Sequence, residues 1–330
     1  MAFETQRLSL PIAASTRAAR RSALFRESLF DMAQRWTLGL AWALSRKHIR
    51  GLPSLLRLWF DELLAPDYAL PDPERALENL PGLAGIVHDL TLPTLLAAYR
   101  RGLYPWAHIA PLKWWSPPQR SVLFFKNFHI SKNMRKELRR GRYTVTFDRD
   151  FEGVIAACAG RREGRWHLTW FTPRIMRTYA EAFDAGHAHS FEVWNEAREL
   201  AGGYGLTIGS AYFGESLFSR EPNTSKLGQT ALAWHLAKWG YKFNDGKLFG
   251  QTWRDMGYRE IPRREFLGHL TMAVRAPGKS GRWQVQADLA TYRIGSRRLT
   301  PSGRTPILRS GSAQPARQAA SGCAHPLSPY

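Results

Sequence analysis

The chain has 330 residues, 44% of them hydrophobic, with 47 Lys and Arg against 27 Asp and Glu for a formal net charge of +20. That is enough apolar material for one large core or two modest ones, and the cationic excess favours a polyanionic partner, nucleic acid or an anionic membrane surface. Cys158 and Cys323 are the two cysteines, and without metal-ligand spacing they argue against a disulfide scaffold or a zinc site and for a reducing cytoplasmic setting, while no apolar run is long enough for a membrane span.

Residues 1–80 are basic from Arg17 to Arg50 and acidic from Asp61 to Glu78. Leu24, Phe25, Leu29, Phe30, Met32 and Trp36, then Leu52, Leu55, Leu56, Leu58 and Trp59, predict two amphipathic helices docked on a core, with a membrane-surface helix as the sharper alternative. From 89 to 101 a helix is expected, with caps at Asp89 to Thr91, Pro93 in the first turn, and Leu95, Leu96 and Tyr99 on one face. The stretch Gly102 to Pro118, rich in Gly, Pro and Trp, reads as a packed loop. Its pair Trp114-Trp115 is either core or a platform for stacked bases.

Lys132, Arg135, Lys136, Arg139 and Arg140 recur at helical intervals, with Ile130, Met134 and Leu138 on the opposite side. Only Glu137 interrupts this cationic stripe, so phosphate contact is its expected task. A strand at 143–147, a helix at 151–159 with Cys158 buried, and a helix at 173–183 turned inward through Ile175, Met176, Tyr179 and Phe183 come next. Then 186–194 and 199–208 form a hairpin. His187 and His189 are too few for a metal site and read as structural. Beyond Phe266 the composition turns to Pro, Ser, Gly and Arg. From Arg275 to Tyr330, Asp288 is the sole acid among many arginines, which predicts a disordered cationic tail with non-specific affinity for RNA.

The stretch from Gly202 to Lys226 is the most informative. Its glycines suit a sheet whose backbone comes close to something, and Glu215 stands among Tyr212, Phe213, Leu217 and Phe218, where an acid needs a partner or a task. Asn223, Thr224 and Ser225 cap a helix running from Lys226 to about Trp239, whose N-terminus offers free N–H groups to an anion. A strand follows at 241–244.

Gly214-Glu215-Ser216-Leu217-Phe218-Ser219 with Asn223-Thr224-Ser225-Lys226 resembles the signature of the leucyl/phenylalanyl-tRNA-protein transferases. So do Ala98 to Trp106, Trp114-Trp115-Ser116-Pro117 with Arg120, Gly186 to Trp194, Asp245, and Ile261 to Phe266. The resemblance spans about residues 82–270 and identifies the chain as a divergent member. It implies an α/β (α+β) fold: a helical extension at 1–80, a smaller N-terminal α/β domain at 81–145, an acetyltransferase-like catalytic domain at 146–272 and the basic tail at 273–330. It implies transfer of Leu or Phe from aminoacyl-tRNA to the N-terminus of an acceptor protein, with no cofactor or metal. Glu215 and Asp245 would orient the acceptor's amine. Phe213, Leu217, Phe218, Phe243 and Trp170 would line the pocket for the transferred side chain. The tRNA would lie along Trp114, Trp115, the basic stripe, Asn223 and Lys226.

Where members of the family carry Asp-x-Gln, this chain has Asp245-Gly246-Lys247. Lys247 is expected to pair with Asp245 and cancel the field that attracts a cationic N-terminus, or to act as the base itself. Altered acceptor choice follows. A tRNA-binding protein that has lost catalysis and an acetyl-CoA-dependent acyltransferase are the alternatives.

Overall fold

The computed structural model describes residues 14–44, 51–64, 68–78, 80, 82–106, 111–128, 130–160, 169–195, 197 and 199–285. The chain is a mixture of helix and sheet. A three-stranded antiparallel sheet of order β1-β3-β2 comprises β1 (Leu83–Ile86), β2 (Tyr104–Trp106) and β3 (Lys113–Trp115). A seven-stranded sheet of order β10-β4-β9-β8-β7-β6-β5 forms the rest of the scaffold. Its strands are β4 (Gln119–Phe124), β5 (Thr144–Phe147), β6 (Ala188–Trp194), β7 (Glu199–Ile208), β8 (Ala211–Ser219), β9 (Phe243–Lys247) and β10 (Arg259–Pro262). The expected division at residue 146 thus runs through β5, and β4 lies in the same sheet as the strands after it.

Every pairing in the large sheet is antiparallel except β8 with β9. Parallel neighbours need a crossover, supplied by the helix Thr224–Lys238. In this helix Gly228 has a packing reason: a Cβ there would lie 2.5 Å from the Phe191 ring and 2.8 Å from Val193.

Two apolar layers sandwich the sheet. On one side lie α4 (Leu92–Arg100), α6 (Phe151–Ala159) and α7 (Pro173–Asp184), joined by Phe151, Tyr179, Tyr204 and Phe213. On the other lie α5 (Lys132–Arg140) and the crossover helix α8 (Thr224–Lys238), around Phe191, Tyr212, Leu227, Leu232 and Leu236. The α6 and α7 bounds match the periodicity. A short helix α9 (Gln251–Arg254) and a longer one, α10 (Arg263–Ala273), flank β10.

The N-terminal segment differs from expectation. It folds as α1 (Ala14–Leu24), α2 (Leu29–Ala43) and α3 (Leu52–Leu64). Phe25 is buried, yet Leu29, Phe30 and Trp59 are 81%, 68% and 59% exposed, so most of the stripe expected to dock does not. What fastens α1 is charge, which the apolar pattern did not reveal. Arg20 reaches Asp150 at 2.5 Å, and Arg21 holds both Glu152 at 2.8 Å and Asp184 at 2.5 Å.

Two other expectations need correcting. Residues read as a loop between Gly102 and Pro118 form β2 and β3, because their aromatic side chains pair across the small sheet. The C-terminal segment remains packed well past Phe266. Trp283 is fully buried, stacks on His189 at 3.7 Å, and donates its backbone N–H to Asp148 at 2.7 Å. One large aromatic ring with a cavity to fill outweighs the surrounding low-complexity composition. The tail from 286 onward, with Cys323, lies outside the described residues. Among the described residues no helix is long and apolar enough to cross a membrane.

Candidate active site

The edge-to-centre order β4-β9-β8 brings three short segments of sequence together. Phe213 of β8 is in register with Asp245 of β9, and Val122 of β4 with Asp245 from the other side. Side chains alternate, so Phe243, Asp245 and Lys247 point toward the α4/α7 layer, while Asn244 and Gly246 point toward α8. On β8, Ser216 opposes Tyr204 and Gly214 opposes Gly205, which leaves Glu215 as an extra, bulged residue. Gly205 permits this close approach: a Cβ there would lie 2.3 Å from the Phe213 carbonyl oxygen and 2.4 Å from the Tyr212 ring.

Asp245 is fully buried and gripped by Arg120, whose Nε donates at 2.9 Å and Nη2 at 2.8 Å to its two oxygens. Arg120, itself 1% exposed, also donates to the Gly102 carbonyl at 3.1 Å and lies over the Tyr104 and Phe266 rings. Burial works against its charge, but the carboxylate beside it outweighs burial and holds the guanidinium above its ordinary range.

Glu215 belongs to a second buried set. It accepts from Tyr99 Oη at 2.7 Å, from Tyr179 Oη at 3.0 Å and from the Lys247 ammonium. Burial pushes the Glu215 carboxyl up against the pull of Lys247, and burial pushes the Lys247 amine down against the pull of Glu215. Both directions draw a proton toward the point between them. Burial beside Glu215 also raises the Tyr99 and Tyr179 phenols, so both remain donors.

Lys247 closes the two sets into one cluster. Its φ of 62° is left-handed, a rare conformation for a residue with a Cβ, and its backbone N–H donates to Asp245 Oδ1 at 2.8 Å. The expectation that Lys247 neutralises Asp245 is therefore corrected. Its side chain serves Glu215, and Arg120 serves Asp245, because alternation along β9 turns the Lys247 amine toward the bulge. The cluster contains two cations and two anions, all buried.

On the α8 face, next to the bulge, lies a small pocket open to solvent, with a cavity volume of about 20 Å³. Phe191, Tyr212, Leu232, Trp253 and Tyr258 give it aromatic and apolar walls, Leu217 and Glu215 border it, and Gln229 and Asn244 bring amides. Of the residues expected to line it, Leu217 does so. Phe213, Phe218 and Phe243 are instead in the core layer on the opposite face, and Trp170 is half-buried against Phe171 and Tyr179. The bulge at Glu215 accounts for Phe218, since it reverses which face each later residue of β8 takes; Phe213 and Phe243 face the α4/α7 layer by the ordinary alternation of their strands.

The expected RNA-facing residues fall into two groups. Lys132, Arg135, Lys136, Arg139 and Arg140 are exposed on α5, with Arg140 bonded to Glu137 at 2.5 Å, while Met134 and Leu138 are buried. Asn223 is exposed at the N-cap of α8 in a left-handed conformation without a side-chain cap bond, and Lys226 is half-buried one turn on. Trp114 and Trp115 are 2% and 7% exposed in the small sheet, with Trp115 Nε1 donating to the Trp106 carbonyl at 2.8 Å, so neither offers a ring face to a base. Sequence reasoning gave no site role to Tyr99, Tyr179, Arg120 or Asn244. A polar tip in a buried apolar stripe was the available signal for Tyr99 and Tyr179.

The sequence model described as leucyl/phenylalanyl-tRNA protein transferase matches residues 122–271, and that of the same family's N-terminal domain matches residues 88–118. The leucyl/phenylalanyl-tRNA-protein transferase of Azotobacter vinelandii (strain DJ) is 43% identical over 203 residues, 61% of this chain and 89% of that protein. The one of Anaeromyxobacter sp. (strain Fw109-5) is 40% identical over 226 residues, 68% of this chain and 95% of that protein. Among solved structures, FemX aligns with a TM-score of 0.35 at 13% identity over 44% of this chain and 60% of that chain, too distant to bear on the site. With near-complete coverage of relatives at this identity, the chain belongs to the leucyl/phenylalanyl-tRNA-protein transferase family.

Proposed function

We propose that this protein transfers Leu or Phe from aminoacyl-tRNA to the amino terminus of an acceptor protein, in the cytoplasm and without a cofactor. The observation that carries the proposal is the adjacency of the Glu215–Lys247 pair to the pocket, on two faces of one bulged strand. The acceptor's neutral amine attacks the ester carbonyl. A C–N bond forms, the ester C–O bond breaks, and the proton lost by the amine ends on the ribose oxygen that leaves. The ester is already activated, so the reaction needs positioning, a proton carrier and polar groups near the developing oxyanion. Lys247, pushed toward its neutral amine by burial, and Glu215, pushed toward its acid, together suit a proton carrier. Asp245, fixed by Arg120, holds the Lys247 backbone in place. The exposed stripe on α5 and the N-terminus of α8 would grip RNA phosphates.

Because Lys247 and Arg120 already neutralise both acids, the cluster has no spare negative charge for a cationic acceptor residue. We therefore assign this chain a weaker preference for N-terminal Arg and Lys. The same neutrality supports a second reading, a protein that binds aminoacyl-tRNA without transferring. Labelled leucyl- and phenylalanyl-tRNA offered to peptides beginning with Arg, Lys, Asp or Glu separates the two. Labelled peptide supports transfer, and the yields rank the acceptors. Retained tRNA binding with no labelled peptide from any of them leaves the binding reading.

A further inference from the structure

The outward sides of α2 and α3 carry apolar surface that the proposed reaction does not use. Ser28 caps α2, its hydroxyl accepting the Asp31 N–H at 3.1 Å. From there Leu29, Met32, Trp36, Leu40 and Leu44 recur at intervals of three and four, so they share one side of the helix, and all five are exposed. Away from that side Arg35 pairs with Glu27 at 2.7 Å, and both side chains are mostly covered, at 15% and 17% exposure. A helix laid on a protein core has the opposite arrangement, with its apolar side covered. In α3, Leu55 and Leu58 pack against the core, while Leu56, Trp59, Phe60 and Leu64, again at helical spacing, are 53% to 69% exposed. The start of α2 is tied to the body: Phe25, just before it, is buried in the core, and α1 is held by its arginines on Asp150, Glu152 and Asp184.

Single exposed leucines need no explanation, but two stripes of large apolar side chains do. Their occupant must offer hydrocarbon, and charge decides which occupant that is. The chain carries a formal charge of +20, and Arg46, Lys47 and Arg50, outside the described residues, follow α2 directly in sequence. A second copy would bring charge of the same sign to the contact, and so would the arginine-rich C-terminal segment. RNA matches the charge but has no hydrocarbon in which to bury leucine. A bilayer with anionic headgroups supplies both, and Trp36 and Trp59 suit the boundary between headgroup and acyl chain. Arg57 of α3 is already engaged with Asp61 at 3.7 Å, so the electrostatic pull comes from the α2 side.

We propose that the outward sides of α2 and α3 form a peripheral docking surface for an anionic lipid bilayer, lying among the headgroups without crossing the membrane. None of these residues belongs to the candidate active site, so the proposal stands apart from the transfer reaction.

The test is co-sedimentation of the full chain with vesicles of phosphatidylcholine alone and with vesicles containing about 30 mol% phosphatidylglycerol. Binding to the anionic vesicles is expected to be at least about 10-fold tighter than to the neutral ones. Changing Leu29, Trp36 and Leu40 together to Gln removes apolar surface and alters no charge; it should weaken binding to the anionic vesicles by about 10-fold or more. Trp59→Gln with Phe60→Gln should weaken it too, giving an independent reading on α3. These positions are exposed, so melting temperature and far-UV spectra should match wild type in both variants. Unchanged binding in both variants would mean that basic surface elsewhere holds the vesicles, and would overturn the proposal. Equal binding to neutral vesicles, no binding to either kind, or a dimer in analytical ultracentrifugation that the variants dissolve while vesicle binding is absent would overturn it as well.

Discussion

Replacing Lys247 by Met tests the cluster directly. The substitution conserves most of the side-chain length and removes the ammonium from beside Glu215, a carboxylate 4% exposed. Breaking a buried ion pair from one side costs about 3–5 kcal/mol, because the remaining charge is left without compensation. Here Glu215 retains the hydroxyls of Tyr99 at 2.7 Å and Tyr179 at 3.0 Å. Hydrogen bonds to a charged group are each worth about 1.5–3 kcal/mol, so the expected loss lies at the low end, about 3 kcal/mol at pH 7. Burial already raises the Glu215 carboxyl, and loss of Lys247 raises it further. An acid whose folded-state pKa is raised keeps its full contribution below the unfolded value and loses it as pH rises, so the penalty in Lys247→Met should be smallest near pH 5 and grow toward pH 8. Urea unfolding of wild type, Lys247→Met, Glu215→Gln and the double variant measures this as a cycle. The double variant should recover at least about half of the Lys247→Met loss, since no bare charge remains. A Lys247→Met loss below about 1 kcal/mol, or a penalty that shrinks as pH rises, would show that the pair is not the buried unit described.

Three further outcomes follow from other parts of the fold. Changing Arg135, Arg139 and Arg140 together to Glu should weaken tRNA binding and flatten the dependence of log K on log salt by about 2 to 3 units, measured by filter binding from low to moderate salt; an unchanged slope places the RNA elsewhere. Gly228→Ala gains about 1 kcal/mol of helix propensity but puts a methyl 2.5 Å from Phe191, so overpacking at about 1–3 kcal/mol should make the variant less stable in urea, not more. Burial pushes His235 down to about 4 from 6.5, partly opposed by its bond to the Ala231 carbonyl. A depressed folded-state value means the contribution is present above 6.5 and is lost as pH falls toward 4, so wild type should lose melting temperature relative to His235→Phe across that window, and parallel curves would contradict it.

Much of the scaffold was legible in the sequence for a local reason. Pro173, Ile175, Met176, Tyr179 and Phe183 mark a helix and its inner face within twelve residues, and Met134 and Leu138 mark the inner face of the basic helix. Glu215 was legible as an acid out of place. Its partners were not, since Tyr99, Tyr179 and Lys247 come from three separate elements and meet only through the strand order β4-β9-β8. Phe213, Phe218 and Phe243 were expected at the pocket as apolar residues near Glu215 and Asp245, and which face of the sheet each takes is set by strand pairing and, for Phe218, by the bulge at Glu215. The clasp of Arg20 and Arg21 on Asp150, Glu152 and Asp184 joins segments more than a hundred residues apart, beyond the reach of any helical or strand periodicity.

Trp283 sets the order in which the protein is completed as it is made. Its ring fills the space against His189, and its backbone N–H satisfies one oxygen of Asp148, a residue that follows β5 directly. A nascent chain that has released the whole sheet but not yet residue 283 therefore has a hole against β6 and an acid short of a donor. The α8 side of the sheet reaches its final form only late in synthesis, and a stop codon placed after α10 would deliver every proposed catalytic group on a scaffold with that hole still open.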